Sequence, residues 1–295
     1  MTIMKKTLLL AALAAFSVCA AAQPANHPLP VRPDTLRILA IANSFGDDGT
    51  QWLPDLLEGA GIHNVIVARL YIGGCSLERH CKEYRDNLQN YRYDKSKANR
   101  WERIADKTGL LTGLEDEPWD VVTIQERSGY SGDWSHYEPW IGELIGIIRR
   151  HCTNPDAAIV WHGTWAYARS SHHKDFPWYG NNQMIMYKGI LDCQEKLQAK
   201  YNIPIVIPSG TAVQNARWTP GLENGKDLTR DGYHLDKGYT RYLAACTWFE
   251  TLVRPTCGKS VKGNPFRMQG TEFEIPAPRA RKLQRIAART VRQQQ

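Results

Sequence analysis

The chain of 295 residues carries a formal net charge of +7. Residues 259–295 hold an excess of basic side chains about as large as this whole net charge, so the preceding part of the chain is close to neutral. This distribution excludes the extended basic face that nucleic-acid-binding domains use, and we expect no nucleic-acid partner. The length suits one α/β domain with a large buried core rather than two domains.

The N-terminus has the pattern of a secretory signal peptide over residues 1–22. Two lysines precede an apolar run from Leu8 to Val18, and three alanines at 20–22 offer a small-residue cleavage site. The run is shorter than the roughly 20 apolar residues of a spanning helix, so we expect no membrane span. The product is therefore expected to be secreted or periplasmic. Lipidation at Cys19 is disfavoured because the valine before it is bulky.

Five short apolar and β-branched runs predict the buried strands of a parallel sheet. They are Leu36–Ala42, Asn64–Tyr71, Val121–Ile124, Ala158–Trp161 and Ile203–Ile207. Segments with helical spacing occur at Thr50–Ala60, Trp140–His151, Gln183–Tyr201 and Gly238–Val253. This alternation predicts a three-layer α/β/α fold with a doubly wound, flavodoxin-like parallel sheet. We expect an irregular leader at 23–35, the α/β domain at 36–257 and a basic C-terminal extension at 258–295.

Six of the seven cysteines follow the predicted signal peptide. An even number in an oxidising compartment favours disulfides, although six cysteines allow about fifteen connectivities. The local pairs Cys75–Cys81 and Cys246–Cys257 are the simplest expectation. Metal ligation is the alternative, but the chain has no Cys-x-x-Cys pair and no His-Glu-x-x-His helix, so we expect neither a metal nor another cofactor.

Chemistry is expected beyond the carboxyl ends of the strands, where doubly wound sheets bind their ligands. Ser44 follows the first strand, where a helix should begin, and helix N-terminal amides favour negative charge nearby. Serine is also typical of helix N-caps, and position alone favours that role. Asp231 and His234 lie three residues apart before the last helix of the domain. This spacing lets the carboxylate hold one imidazole nitrogen while the other nitrogen acts as a base.

Four sequence blocks resemble those of the SGNH (GDSL-like) hydrolases. They are Asn43-Ser44-Phe45 after the first strand, Gly73-Gly74-Cys75-Ser76 after the second, Gln125 after the third, and Asp231-Gly232-Tyr233-His234 before the last helix. More narrowly, residues 36–253 are similar to a secreted branch of Bacteroides-type proteins known as DUF4886. No block is decisive alone, but their order and spacing together are fairly specific.

The resemblance implies that Ser44 is the nucleophile, that His234 is the general base and then the acid, and that Asp231 orients His234. It also implies oxyanion donors at the backbone N–H groups of Ser44 and Gly74 and at the side-chain amide of Gln125. The superfamily usually has Asp before the serine and Asn in the third block, so Gln125 reaches one methylene further than usual. The chain has no Gly-x-Ser-x-Gly pentapeptide, which separates it from the α/β-hydrolases.

We expect a serine esterase that hydrolyses acyl esters, O-acetyl esters of carbohydrates in particular. Ten tryptophans and thirteen tyrosines, several of them in loops of the predicted edge, suit the flat faces of sugar rings. His162, Trp165 and Trp134 are candidate substrate contacts, with a structural, hydrogen-bonded histidine as the alternative at 162. A lipid or lysophospholipid esterase would need a broad apolar channel, and a non-catalytic glycan-binding protein would need no triad. The pattern leaves the oligomeric state open.

Overall fold

The computed structural model describes residues 26–222, 225 and 227–294. The predicted signal peptide and the first residues of the predicted leader lie outside the described residues. Residues 26–35 form no helix or strand. The side chain of Asn26 ties this segment to the sheet, because it bonds both the backbone N–H (2.9 Å) and the carbonyl (2.7 Å) of Ile159.

Seven strands of the described chain form one sheet in the order β4-β3-β2-β1-β5-β6-β7. They are β1 (Leu36–Ala42), β2 (Val65–Tyr71), β3 (Tyr91–Lys97), β4 (Arg100–Thr108), β5 (Val121–Ile124), β6 (Ala158–His162) and β7 (Val206–Ile207). The strands β2, β1, β5, β6 and β7 run parallel. Their order reverses between β1 and β5, which is the switch point of a doubly wound sheet.

Both faces of β1 are buried. Leu36, Ile38 and Ala40 enter the core on one face, and Leu39 and Ile41 enter the core on the other. Side chains alternate along a strand, so a strand covered on both faces reads as a continuous apolar run. This is why the sequence predicts β1 with the bounds that the structure has.

The sheet ends in an antiparallel pair that the sequence does not predict. Strand β3 pairs antiparallel with β2, and β4 pairs antiparallel with β3. Ion pairs hold these polar strands, because the carboxylate of Asp94 lies 3.4 Å from Arg69 on β2 and 2.6 Å from Arg103 on β4. The predicted three-layer α/β fold is confirmed, with a mixed sheet in place of a wholly parallel one.

Ten α-helices of the described chain flank the sheet. They are α1 (Ser44–Thr50), α2 (Leu53–Gly59), α3 (Leu77–Arg85), α4 (Leu110–Glu115), α5 (Trp140–His151), α6 (Gln183–Tyr201), α7 (Ser209–Arg217), α8 (Tyr239–Trp248), α9 (Arg254–Cys257) and α10 (Ala277–Gln294). Helices α2, α7, α8 and α10 pack on one face of the sheet, and α3 to α6 pack on the other. A π-helical turn, Phe249–Val253, joins α8 to α9, and 3₁₀ turns lie at Trp134–His136 and Phe176–Tyr179. No helix in the described residues is long and apolar enough to cross a membrane.

The basic C-terminal extension packs onto the domain. Leu283 and Ala287 of α10 are fully buried in the same core as α8. Val261 and Ile275, which precede α10, are buried there as well. The arginines of α10 therefore belong to the outer side of an amphipathic helix, and residues 258–294 are part of one packed unit with the sheet.

The predicted disulfides are wrong, because all six cysteines of the described chain are free. Cys75 Sγ lies 3.4 Å from His80 Nδ1, whereas Cys81 Sγ contacts a backbone carbonyl of α5 at 3.4 Å. Cys246 and Cys257 stand eleven residues apart on nearly continuous helix, which separates their Cα atoms by about 16 Å. A disulfide needs Cα atoms within about 7 Å of one another. Spacing in the sequence could not reveal this.

Candidate active site

Ser44, Asp231 and His234 lie together beyond the carboxyl end of β1, beside the point where the strand order reverses. His234 Nε2 is 2.9 Å from Ser44 Oγ, and His234 Nδ1 is 2.6 Å from Asp231 Oδ2. The three side chains therefore have the connectivity of a nucleophile, a base and an orienting carboxylate. Ser44 and His234 are both partly exposed, so a substrate can reach the hydroxyl and the imidazole.

Asp231 is held by its own loop. Its Oδ1 atom accepts the backbone N–H groups of Tyr233 (3.2 Å) and His234 (2.8 Å), as in the turns that aspartate favours. Partial burial raises the pKa of Asp231, but the hydrogen bonds from the His234 side chain and from these two N–H groups outweigh it and hold the pKa below its ordinary value. An ionised Asp231 keeps the proton of His234 on Nδ1, which leaves Nε2 free to accept from Ser44.

Asn43, rather than Ser44, caps the helix that follows β1. The side-chain oxygen of Asn43 accepts the backbone N–H of Phe45 at 2.9 Å. Ser44 is the first residue of α1, so its own N–H is among the amides that a helix start leaves unpaired. The capping role is thus taken by the neighbouring residue, and the Ser44 hydroxyl is bonded to His234 instead.

Asp48 connects α1, which carries Ser44, to the loop that carries the other two side chains. Its carboxylate is fully buried. It accepts the backbone N–H of Leu235 at 2.9 Å, Arg230 Nη1 at 3.0 Å and Arg241 Nε at 2.7 Å. Ser44 and Asp48 are one turn apart on α1, and the first two of these donors flank the aspartate and histidine of the site. Sequence reasoning missed Asp48, because nothing marks which of two consecutive acids in α1 is buried.

Trp165, a predicted substrate contact, lies under the site. It is fully buried, and its ring stacks on Phe45 with centroids 4.2 Å apart and an angle of 8° between the planes. Its Nε1 atom donates to the carbonyl of Tyr233 at 2.7 Å. Trp165 therefore supports α1 and the Asp231–His234 loop at once, and it offers no face to a substrate.

A buried row of polar side chains runs beneath the site across the ends of β1, β5 and β6. Asn43 Nδ2 donates to the Cys75 carbonyl (2.9 Å), Gln125 Nε2 donates to Asn43 Oδ1 (2.7 Å), and His162 lies 2.7 Å from Gln125 Oε1 and 3.0 Å from Ser209 Oγ. Each of these side chains is at most 2% exposed. Burial lowers the pKa of His162 to about 3, so its ring is neutral near pH 7. His162 therefore has a structural role and does not reach a substrate.

The predicted oxyanion donors surround the start of α1. Gly74 lies in an exposed turn with a φ of 62°, and a Cβ there would meet nothing within 4 Å. The bond from Asn43 to the Cys75 carbonyl ties this turn to the start of α1. The Gln125 amide already gives one hydrogen to Asn43 and has a second hydrogen to offer. The donor roles of Gly74 and Gln125 stay predictions.

Trp134, the remaining predicted contact, packs away from the three side chains. Its ring stacks on Tyr137 with centroids 5.0 Å apart. It also lines a small depression with Lys196 and Lys200 in the last turns of α6. That end of α6 points away from the carboxyl edge of the sheet, so the structure does not bring Trp134 to Ser44.

Two partly exposed aromatic residues that sequence reasoning did not select form a wall beside His234. The Tyr233 ring lies 4.2 Å from the His234 ring, and the His173 ring lies 4.6 Å from the Tyr233 ring. Burial lowers the pKa of His173, against the opposing influence of Asp175. This wall is aromatic and polar.

Among the described residues, no group of three His, Cys, Asp or Glu is placed to hold a metal ion.

Glu126 lies behind the site and is fully buried. Its Oε1 atom accepts the backbone N–H groups of Leu77 (3.2 Å) and Arg127 (2.6 Å), while Oε2 is buried without a hydrogen-bond partner. Burial raises the pKa of Glu126 to about 8, although the two N–H groups oppose the rise. The carboxyl group is therefore neutral at pH 7, and it joins the start of α3 to the loop after β5.

The fold and the site define a doubly wound α/β protein with a Ser-His-Asp cluster at the carboxyl edge of its sheet. The profile of DUF4886, described as a domain of unknown function, matches residues 37–290. The chain belongs to the DUF4886 family, which confirms the narrower of the two resemblances found in the sequence.

Proteins of known structure resemble the chain to different degrees. A DUF4886 family protein from Bacteroides uniformis shares 37% identity over 88% of this chain and 95% of its own, with a TM-score of 0.79. A candidate SGNH hydrolase from Slackia heliotrinireducens shares 19% identity over 74% of this chain and 98% of its own, with a TM-score of 0.49. A GDSL-like lipase from Bacteroides thetaiotaomicron shares 12% identity over 77% and 89%, with a TM-score of 0.40. No curated protein matches the chain.

Proposed function

We propose that this protein is a serine esterase of the SGNH type that hydrolyses acyl esters, O-acetyl groups on carbohydrates in particular. One observation carries the proposal: His234 lies 2.9 Å from the Ser44 hydroxyl on one side and 2.6 Å from Asp231 on the other. A serine hydroxyl becomes a nucleophile when an imidazole accepts its proton, and a carboxylate on the far nitrogen stabilises the imidazolium that forms.

In the proposed acylation step, Ser44 Oγ attacks the ester carbonyl and its proton moves to His234 Nε2. Asp231 stabilises the resulting imidazolium charge. The backbone N–H groups of Ser44 and Gly74 donate to the developing oxyanion, where each well-placed donor contributes about 10²–10³ in rate. The intermediate collapses, the bond to the leaving oxygen breaks, and His234 returns the proton to that oxygen as the alcohol departs.

Deacylation uses the same groups in the reverse roles. Water gives its proton to His234 Nε2 and attacks the acyl carbon, and the carboxylic acid leaves as the proton returns to Ser44 Oγ. The low pKa of Asp231 keeps its carboxylate ionised near neutral pH. The carboxylate is therefore available to stabilise the imidazolium in both half-reactions.

The surroundings of Ser44 support a small acyl group on a polar alcohol. Tyr233 and His173 line one side with aromatic rings that carry polar atoms. A long acyl chain would call for a broad apolar wall in this place.

We further propose that the chain acts outside the cytoplasm after removal of residues 1–22. The expected check is a mature N-terminus near Gln23 in the exported fraction of cells that express the full chain.

The test compares Ser44→Ala with Ser170→Ala, which removes an exposed hydroxyl from the loop after β6. Wild type and Ser170→Ala are expected to hydrolyse nitrophenyl acetate and to react with a fluorophosphonate probe. Ser44→Ala is expected to do neither while keeping its melting temperature. A folded Ser44→Ala protein with undiminished turnover or labelling would contradict the proposal.

A further inference from the structure

Exposed apolar surface is concentrated at one place on the catalytic edge. Of the large hydrophobic side chains that are exposed in the described chain, Trp178 (56%) and Ile185 (56%) border the same cavity, whereas Met184 (44%) contacts Gln214 of α7. An exposed tryptophan adds nothing to the core, and clustered exposed apolar groups mark binding surfaces. The cluster lies where the loop after β6 enters α6.

Trp178 and Ile185 line a cavity of about 480 Å³. Its remaining walls include Asp133 from the loop after β5, and Lys188 and Asp192 from α6. The volume falls within the range of about 300–1,000 Å³ that small-molecule sites occupy. We call this space the Trp178 cavity.

The walls of the Trp178 cavity are fixed before any ligand arrives. The Tyr179 hydroxyl accepts the Gly132 N–H at 3.1 Å and donates to the Gly129 carbonyl at 2.8 Å. Gly189 of α6 touches the same loop so closely that a Cβ there would lie 2.6 Å from the Gly132 carbonyl oxygen. A preformed cavity loses little entropy when it binds a ligand.

The indole of Trp178 is held in place by its neighbours. Its ring lies nearly parallel to Tyr130, with centroids 5.8 Å apart. Tyr130 in turn stacks on His136, with ring centroids 3.6 Å apart, and its ring centroid lies 3.8 Å from the guanidinium of Arg127. Arg127 also pairs with the buried Asp175. The indole therefore keeps its orientation while more than half of the residue remains exposed.

A row of contacts connects this cavity with the catalytic side chains. Arg127 pairs with Asp175, which lies 3.8 Å from His173. The His173 ring contacts Tyr233, and the Tyr233 ring contacts His234. The cavity and Ser44 thus share one edge of the sheet, but several side chains separate them. A ligand that occupies both places has to be longer than one sugar ring.

We propose that the Trp178 cavity is a distal sugar subsite and that the substrate is an ester of an oligo- or polysaccharide rather than of a monosaccharide. A pyranose ring has a C–H face that packs on a flat indole and a rim of hydroxyls that need donors and acceptors. Asp133 and Asp192 accept from such hydroxyls, and Lys188 donates to them. A hydrocarbon chain has no donor or acceptor with which to bond these three charges. The inference rests on the proposed function for the position of the scissile ester, while binding in the cavity is independent of turnover.

Binding is tested first on the Ser44→Ala protein, with xylopentaose, cellopentaose and mannopentaose and the corresponding monosaccharides as probes. At least one pentasaccharide is expected to change the tryptophan fluorescence. Trp178→Phe in the same background is expected to remove the change, whereas Trp218→Phe, at an exposed position (61%) at the end of α7, is expected to retain it. The inference is overturned when no pentasaccharide binds, or when Trp178→Phe retains the full change.

Turnover is tested with O-acetylated forms of the same sugars in an otherwise wild-type protein. The quantity measured is kcat/KM for the acetylated pentasaccharide divided by kcat/KM for nitrophenyl acetate. Trp178→Ala is expected to lower this ratio about tenfold, which corresponds to about 1.4 kcal/mol. Trp218→Ala is the matched control and is expected to keep the wild-type ratio.

The possible results separate the two proposals. A ratio that falls equally in both tryptophan variants, or a Trp178→Ala variant that loses activity mainly toward nitrophenyl esters of long acids, overturns the sugar subsite and leaves the esterase proposal intact. Pentasaccharide binding that depends on Trp178, in a protein whose ester hydrolysis is the same with and without Ser44, supports the subsite and contradicts the esterase proposal.

Discussion

Asp48→Asn tests whether the contacts between α1 and the Asp231–His234 loop determine the geometry of the site. The change keeps the size of the side chain and removes its charge. Asp48 is fully buried and is bound by Arg230 and Arg241, whose side chains are 29% and 15% exposed. Removing one partner of a buried ion pair costs about 3–5 kcal/mol. The arginines can regain some water, so we expect the lower end of this range.

A loss of about 3 kcal/mol lowers the melting temperature of a domain of this size by roughly 5 °C. The effect on activity follows from position, because Asp48 also accepts the N–H of Leu235, the residue after His234. A misplacement of about 1 Å between reacting groups costs on the order of 10²-fold in rate. We therefore expect kcat for nitrophenyl acetate to fall about 10²-fold in Asp48→Asn, measured well below its melting temperature.

Asp47→Asn is the matched control, because it makes the same change at the neighbouring position of α1. Asp47 pairs with Arg69 at 3.0 Å and Arg92 at 2.6 Å on the strands, and it makes no contact with the Asp231–His234 loop in the described structure. This variant is expected to lose stability and to keep kcat. Equal kcat values for Asp48→Asn and Asp47→Asn would refute the reasoning, whatever their melting temperatures.

Three further predictions concern stability. Glu126 has a folded-state pKa of about 8, above the ordinary value of 4.5. The stability of wild type relative to Glu126→Gln is therefore expected to fall by a few kcal/mol as pH rises from about 5 to 8. Parallel pH profiles of melting temperature for the two proteins would contradict this. Gln125→Leu leaves the buried His162 N–H without an acceptor and is expected to cost about 1–3 kcal/mol in urea unfolding, so wild-type stability would speak against the buried row. Leu283→Ala in α10 is expected to cost about 2–5 kcal/mol, whereas a solvated C-terminal extension would show almost no change.

The sequence predicts those parts of the fold whose stability comes from apolar burial. Strands β1 and β5 and helices α5 and α6 have the predicted bounds, because burial on both faces or on one stripe leaves a regular hydrophobic pattern. The pair β3–β4 leaves no such pattern, since Asp94 and its arginine partners hold it by charge. The distance between two cysteines likewise depends on helix direction, which sequence spacing does not contain.

The candidate site also contains residues that the sequence could predict and residues that it could not. Ser44, Asp231 and His234 could be selected because strand order brings the carboxyl ends of neighbouring strands together and each residue type has a recognisable chemistry. The residues that hold these three side chains in place could not be selected from the sequence. Asp48 and Trp165 look like an ordinary surface acid and an ordinary rim aromatic until burial and partners are known. Supporting residues are defined by their contacts, and contacts across more than 180 residues of sequence leave no local pattern.

The buried row beneath the site has a single direction. Backbone groups determine the orientation of Asn43, since its oxygen accepts a helix N–H and its nitrogen donates to the Cys75 carbonyl. Gln125 must then offer its nitrogen to Asn43 and its oxygen to His162, which places the imidazole proton on Nδ1 and leaves Nε2 to accept from Ser209. Every hydrogen bond in the row is therefore donated in the same direction, from Ser209 after β7 toward the turn after β2. A replacement that exchanges a donor for an acceptor at one position requires the same exchange at its neighbour, so natural variation in this row is expected to occur in coordinated pairs.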